Sequence, residues 1–107
     1  MLRHIVLLRW ATTVAPVNSA ALLADLQDLV RSMRGALAVD AVVGLGLADE
    51  TYDAVLIADF VDESAWHAYQ SDVRHVSFVA ERLRPVLEER ATIQVELPDS
   101  GMTPIRE

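Results

Sequence analysis

The chain contains no cysteine and no lysine. The first absence excludes disulfide staples, thiolate nucleophiles, thiolate zinc sites and cysteine redox chemistry. The second leaves no side-chain amine for a Schiff base, because all nine cationic side chains are arginine. Basic charge is scarce overall: sixteen acidic residues against nine arginines give a formal net charge of −7. A nucleic-acid partner requires a basic footprint that displaces counterions. The densest basic run, Arg82, Arg84 and Arg90, is interleaved with Glu81, Glu88 and Glu89 and reads as a solvated face, so no nucleic acid is expected. No apolar run approaches the roughly 20 residues of a membrane span. The opening "MLRHIVLLRW" carries charge every few positions and lacks a small-residue cleavage site, so it is not a secretory leader. These features predict a cytoplasmic protein with no membrane contact.

Apolar residues are plentiful, at 52% of 107 positions, enough for a single core without staples. Residues 2–10 alternate, with Leu2, His4, Val6, Leu8 and Trp10 on one face of a strand and Arg3, Ile5, Leu7 and Arg9 on the other. After the loop "TTVAPVNS", with Asn18 as the expected N-cap, Leu22, Leu23, Leu26, Leu29, Val30 and Met33 recur at helical spacing. This predicts a helix over 19–34 that stops before Gly35. A second strand is expected over 38–47, where Gly44 and Gly46 suggest a bulge or a close backbone approach. A third is expected over 53–61, followed by a helical region from the cap Asp62 to about residue 87, broken at "QSD". The fourth strand, "ATIQVEL", sets Ala91, Ile93, Val95 and Leu97 against Thr92, Gln94 and Glu96. The order β-α-β-β-α-β predicts an α+β, ferredoxin-like fold, an antiparallel four-stranded sheet with helices on one face. Residues 1–97 form the expected domain and residues 98–107 a flexible tail.

The sheet carries apolar side chains on both faces, Ile5 and Leu7 in the first strand and Val55, Ile57 and Val61 in the third. A second buried face needs a second layer, and another copy of the same sheet supplies one. A homodimer with its sheets packed face to face is expected.

The segments "RHIVLLRW", "YDAVLIADFVDESAWHAYQ" and "RHVSFVAERLRPVL" together resemble the stress-responsive dimeric α/β-barrel (Dabb) family, over Leu2 to about Leu97. The resemblance implies a ferredoxin-like protomer whose sheet forms a barrel across a dimer. The family includes stress proteins without clear chemistry and cofactor-free polyketide cyclases. In those cyclases a tyrosine and a histidine at the positions of Tyr69 and His75 act on a substrate between helices and sheet, and a strand histidine at the position of His4 faces the cavity. Relatives commonly carry "HPxH" before the second long helix, where this chain has "DVRH", Asp72 to His75. The resemblance thus implies His75 as base and Tyr69 as hydrogen-bond donor in a cyclase-type reaction on a small hydrophobic carbonyl compound, without a cofactor. The expected pocket lining is His4, Val6, Leu8, Leu56, Phe78 and Ile93. The alternatives are a non-catalytic stress-responsive or ligand-binding dimer, with those side chains filling the space, and a cofactor-free monooxygenase.

Taken from the residues alone, each candidate has a structural and a chemical reading. His75 sits at the edge of the stripe Val76, Val79, Ala80, Leu83 and Val86, a place for a packed histidine with one hydrogen bond or for a neutral base near pH 7. Tyr69 either packs its ring or donates to a developing enolate. His4 is either a satisfied core group or a cavity-facing polar one. His67 reads as surface. No two of the three histidines stand at i,i+4 spacing, and no metal is expected.

Overall fold

Period-two alternation in four segments gives four strands, and each pairs antiparallel with its neighbour. The computed structural model describes residues 1–13 and 16–106. Its strands are β1 (Leu2–Trp10), β2 (Ala36–Val43), β3 (Ala54–Phe60) and β4 (Leu87–Glu96), and its helices α1 (Pro16–Arg31), α2 (Glu63–Ser71) and α3 (Val73–Phe78). The sheet order is β2-β3-β1-β4, the ferredoxin-like arrangement the pattern predicts. Of the expected loop before α1, Val14 and Ala15 lie outside the described residues, as does Glu107 in the tail.

The helix-facing side of the sheet holds the core. Val6 and Leu8 of β1 and Leu56, Ala58 and Phe60 of β3 pack against Leu22, Leu23, Leu26 and Val30 of α1 and Tyr69 of α2. Each large apolar side chain so buried contributes about 1.5–3 kcal/mol of transfer free energy. The helix α1 begins two residues before the expected cap. Pro16 opens it, since its fixed φ suits the first helical position, and Asn18 lies within the first turn. Buried Ser19 is satisfied by donating to Pro16 O at 2.7 Å. The helix also ends early, at Arg31, and closes through a turn to Gly35 at φ +84°. A Cβ there would lie 2.6 Å from the Ala65 Cβ, so Gly35 serves both the backbone reversal and the close approach of α2. Strand β2 starts and stops earlier than expected. It is irregular between Ala36 and Ala38, whereas Gly44 marks a close approach to the backbone of Tyr52 and Asp53.

Register decides which face of β4 meets the helices. Gln94 lies opposite His4 and Thr92 opposite Val6, whereas Ile93 lies opposite Ile5 and Ala91 opposite Leu7. The polar row of β4 therefore faces the helices and the apolar row faces away. The expected place of Ile93 in the pocket is corrected accordingly: it stands 56% exposed on the far face of the sheet. Apolar alternation could not set this, because β1 is apolar on both faces and a one-residue slip exchanges them. On that far face Ile5, Leu7, Val55, Ile57, Ala91, Ile93 and Val95 form a continuous apolar surface. Asp59, beside Ile57 in the β3 row, is held by Arg3 through two hydrogen bonds of 2.8 and 3.0 Å.

The break at "QSD" is a double cap. Asp62 starts α2 by accepting from the Ala65 N–H at 2.8 Å. Asp72 then leaves helical geometry (φ −61°, ψ 131°), donates its N–H to Tyr69 O and accepts from the Arg74 N–H at 2.8 Å to start α3. Farther on, Pro85 cannot donate to residue 81, and its ring would clash with that carbonyl. The chain widens to a π turn over Val79–Leu83, in which the Arg84 N–H reaches Val79 O, and closes with a 3-10 turn over Arg84–Val86. Strand β4 therefore starts at Leu87, four residues earlier than its alternation suggests.

Candidate active site

Between the sheet and the α2–α3 corner lies a cavity of about 240 Å³. Strand β1 supplies His4 and Val6, β3 supplies Leu56, and β4 supplies Arg90, Thr92 and Gln94; α2 supplies Trp66, Tyr69 and Gln70. His75 of α3, Val79 and Leu83 of the π turn and Leu26 of α1 complete the wall.

The Asp72 corner turns the chain so that His75 folds back on Tyr69, with ring centroids 4.2 Å apart. Tyr69 is 2% exposed and stacks between His75 and Phe60, whose centroid is 5.2 Å away. Burial pushes its phenol well above the usual range, so it is a donor at any ordinary pH. His4 meets the ring of Tyr69 edge-on at 6.1 Å and that of Trp66 at 5.9 Å. Trp66 Nε1 is buried without a hydrogen-bond partner.

The two histidines hold their protons on opposite nitrogens. An amide nitrogen only donates, so Gln94 Nε2, 2.9 Å from His4 Nδ1, makes Nδ1 the acceptor and leaves the proton on Nε2. Burial, followed by the repulsion of His75 and Arg90, pushes His4 down to about 4, so this imidazole is neutral and donates through Nε2. In His75 it is Nδ1 that faces a carbonyl, Gln70 O at 3.4 Å, so the neutral ring donates from Nδ1 and keeps a lone pair on Nε2. Burial lowers this imidazole as well, against the opposing effect of the Gln70 carbonyl. The result is a neutral base, a neutral imidazole donor and a phenol donor around one cavity.

Of the residues expected at the site, His4, Val6, Leu56, Tyr69 and His75 line the cavity together. Three do not. Leu8 is fully buried in the core farther along β1, and Ile93 is on the other face of the sheet. Phe78 packs beneath the Arg82 guanidinium, 5.1 Å from its ring centre, and that guanidinium bonds Asp25 at 2.6 Å. Sequence reasoning missed Trp66, Arg90, Thr92 and Gln94. The signal for the last three was the polar row of β4, which becomes legible only once its register against β1 is known. The "DV" corner that departs from "HPxH" turns on an aspartate cap, and His75 beyond it lies against Tyr69. Among the described residues no three His, Asp or Glu side chains are grouped to hold a metal ion, and no helix is long and apolar enough to cross a membrane.

Comparison with known proteins places the chain in a family. The chain is similar to a dimeric ferredoxin-like protein of unknown function from Thermobifida fusca YX, at 31% identity over 90% of each chain, with a TM-score of 0.80. It shares its fold with a hydroxynitrile lyase from Passiflora edulis, at 15% identity over 96% of each chain and a TM-score of 0.79. It also shares it with SnoaB, a cofactor-independent oxygenase from Streptomyces nogalater, at 13% identity over 92% of this chain and 93% of that one, with a TM-score of 0.73. No curated protein matches the chain in sequence. The model of the stress responsive A/B barrel domain matches residues 2–97, and the chain belongs to that family, Dabb.

Proposed function

We propose that this protein is a homodimeric, cofactor-free acid–base catalyst of the cyclase type, acting on a small carbonyl compound in the cavity of each protomer. The observation that carries the reading is the stacking of Tyr69 on His75 at 4.2 Å beside a His4 whose proton is fixed on Nε2 by Gln94. His75 Nε2 removes a proton α to a carbonyl. Tyr69 and the His4 Nε2–H donate to the oxygen as enolate charge develops, and the enolate carbon attacks a second carbonyl of the same molecule to close a ring. The proton on His75 returns to the new alkoxide, so the step is redox-neutral. Positioned proton transfer contributes about 10²–10⁴-fold and donation to a developing oxyanion a comparable factor. The cavity also favours a bound ligand over mere packing, because Phe78 and Ile93, two of the side chains that would fill it, lie elsewhere.

The homodimer rests on the apolar far face of the sheet, which leaves Ile93 56% and Val42 48% exposed in a single chain, and on the dimeric relative from Thermobifida fusca. The test of the chemistry is incubation with a linear tri-β-ketone, with product analysis for the wild type, His75→Ala and Tyr69→Phe. Loss of ring-closed product in both variants is expected. The same products at the same rate in both would remove the reading.

A further inference from the structure

The charge around the cavity is unlike that of the rest of the molecule. Sixteen acidic side chains belong to this chain, yet none lines the cavity or the adjoining one of about 370 Å³ that shares Gln70, His75, Val79 and Arg90. The arginines are distributed the other way. Arg3, Arg9, Arg31, Arg74 and Arg82 each form an ion pair. The other four, Arg34, Arg84, Arg90 and Arg106, form none among the described residues, and two of these stand at the cavities. Arg90 lines both cavities and Arg84 the outer one. From Arg90 the inward row of β4 continues through Thr92 to Gln94 and His4, a guanidinium at the rim followed by neutral donors.

We infer that the ligand of this site carries a carboxylate, held by Arg90 with Arg84 at the outer rim, and that its carbonyl groups extend inward towards Tyr69 and His4. A guanidinium with no acidic partner presents two parallel N–H donors matched to a carboxylate. The positive potential of Arg90 reaches inward, since it depresses both imidazoles. The inner cavity, equal to about eight water molecules at ~30 Å³ each, limits the buried part to a short chain. A 3-oxo carboxylate of about six carbons meets these conditions as a binding probe, with its anion at Arg90 and its carbonyl and acidic CH₂ deeper in; it has no second ketone, so it binds without ring closure. This inference rests on the proposed acid–base reading for the inner end of the ligand, but its test reads binding alone.

The test is calorimetric titration of the intact protein at low salt with 3-oxohexanoate and with its methyl ester, an uncharged analogue of the same shape. The acid is expected to bind roughly ten- to a hundredfold tighter than the ester. Arg90→Gln abolishes that preference, Arg90→Lys retains part of it and Arg84→Gln reduces it. Arg90 is exposed on an edge strand, so these variants fold. Equal affinity for acid and ester, a preference unchanged in Arg90→Gln, or no binding of the acid at about 10 mM would overturn the inference. The preference persists in His75→Ala and Tyr69→Phe. If those variants leave turnover intact while the preference stands, the cyclase reading falls and this one does not; the reverse pattern removes this one alone.

Discussion

Gln94 Nε2 donates to His4 Nδ1 across 2.9 Å, from the strand next to it in the sheet, and so fixes which imidazole nitrogen carries the proton. The pair converts a buried histidine from a packed core group into an oriented donor. Gln94→Glu replaces the amide donor by an acceptor. The proton is then expected to move to Nδ1 and the His4 pKa to rise from about 4, because a carboxylate favours the imidazolium. Long-range ¹H–¹⁵N spectra report the tautomer directly, and an unchanged pattern in the variant would contradict the assignment.

The same burial makes stability depend on pH. Burial pushes His4 down to about 4 from the ordinary histidine value of 6.5, and His75 is shifted in the same direction. The unfolded chain therefore binds protons more readily between those values. The stability due to neutral His4 is whole above about pH 6.5 and is lost progressively as pH falls towards 4. The loss is on the order of 2 kcal/mol. Urea unfolding at pH 7.5 and 4.5 measures it, and His4→Gln should show a smaller drop between the two pH values than the wild type.

At the corner between α2 and α3, Asp72 already has the extended geometry (φ −61°, ψ 131°) that a following proline demands. Val73 occupies the first helical position, where an N–H has no intrahelical partner. Val73→Pro is accordingly expected to stabilise the fold by about 0.4–1 kcal/mol, chiefly by restricting the unfolded chain. It leaves the His75 ring on Tyr69. Asp72→Ala removes the cap and lowers the urea midpoint. Denaturant titration of both variants checks the pair, and destabilisation by Val73→Pro would show that the corner is held differently.

The far face of the sheet makes its own prediction. Ile5 lies between Ile57 and Ile93 in register, at the middle of the apolar surface. Ile5→Glu places a charge there and is expected to turn a dimer, twice 11.8 kDa, into a monomer of 11.8 kDa by light scattering. A wild type that runs as a monomer, or a variant that stays dimeric, would exclude this face as the interface.

The architecture was legible because each element carries its own period, and Asp62 and the "QSD" break announced themselves by residue type. The candidate site was legible only in part. Tyr69, His75 and His4 came from likeness to a family, and Val6 and Leu56 each from alternation within its own strand. Ile93 was misplaced, and Gln94, Thr92 and Arg90 overlooked, for a single reason. A strand apolar on one face fits either side of a sheet that is apolar on both, and the choice belongs to pairing between residues about ninety positions apart. Trp66 was missed because nothing local separates a tryptophan that walls a cavity from one that only packs. The widening at Val79–Leu83 is explained by Pro85, yet its consequence, an early start to β4, requires the strand partner.

The central claim is that neutral His75 removes a proton from a carbonyl substrate beside Tyr69. The most direct measurement is the pH dependence of kcat/KM for ring closure of a linear tri-β-ketone, in the wild type and in His75→Ala. The account predicts a rate that rises with pH to a plateau, with its midpoint below 6.5 because burial lowers His75, and a variant slower by about 10²-fold or more that lacks this limb. An identical rate and profile in His75→Ala would contradict it.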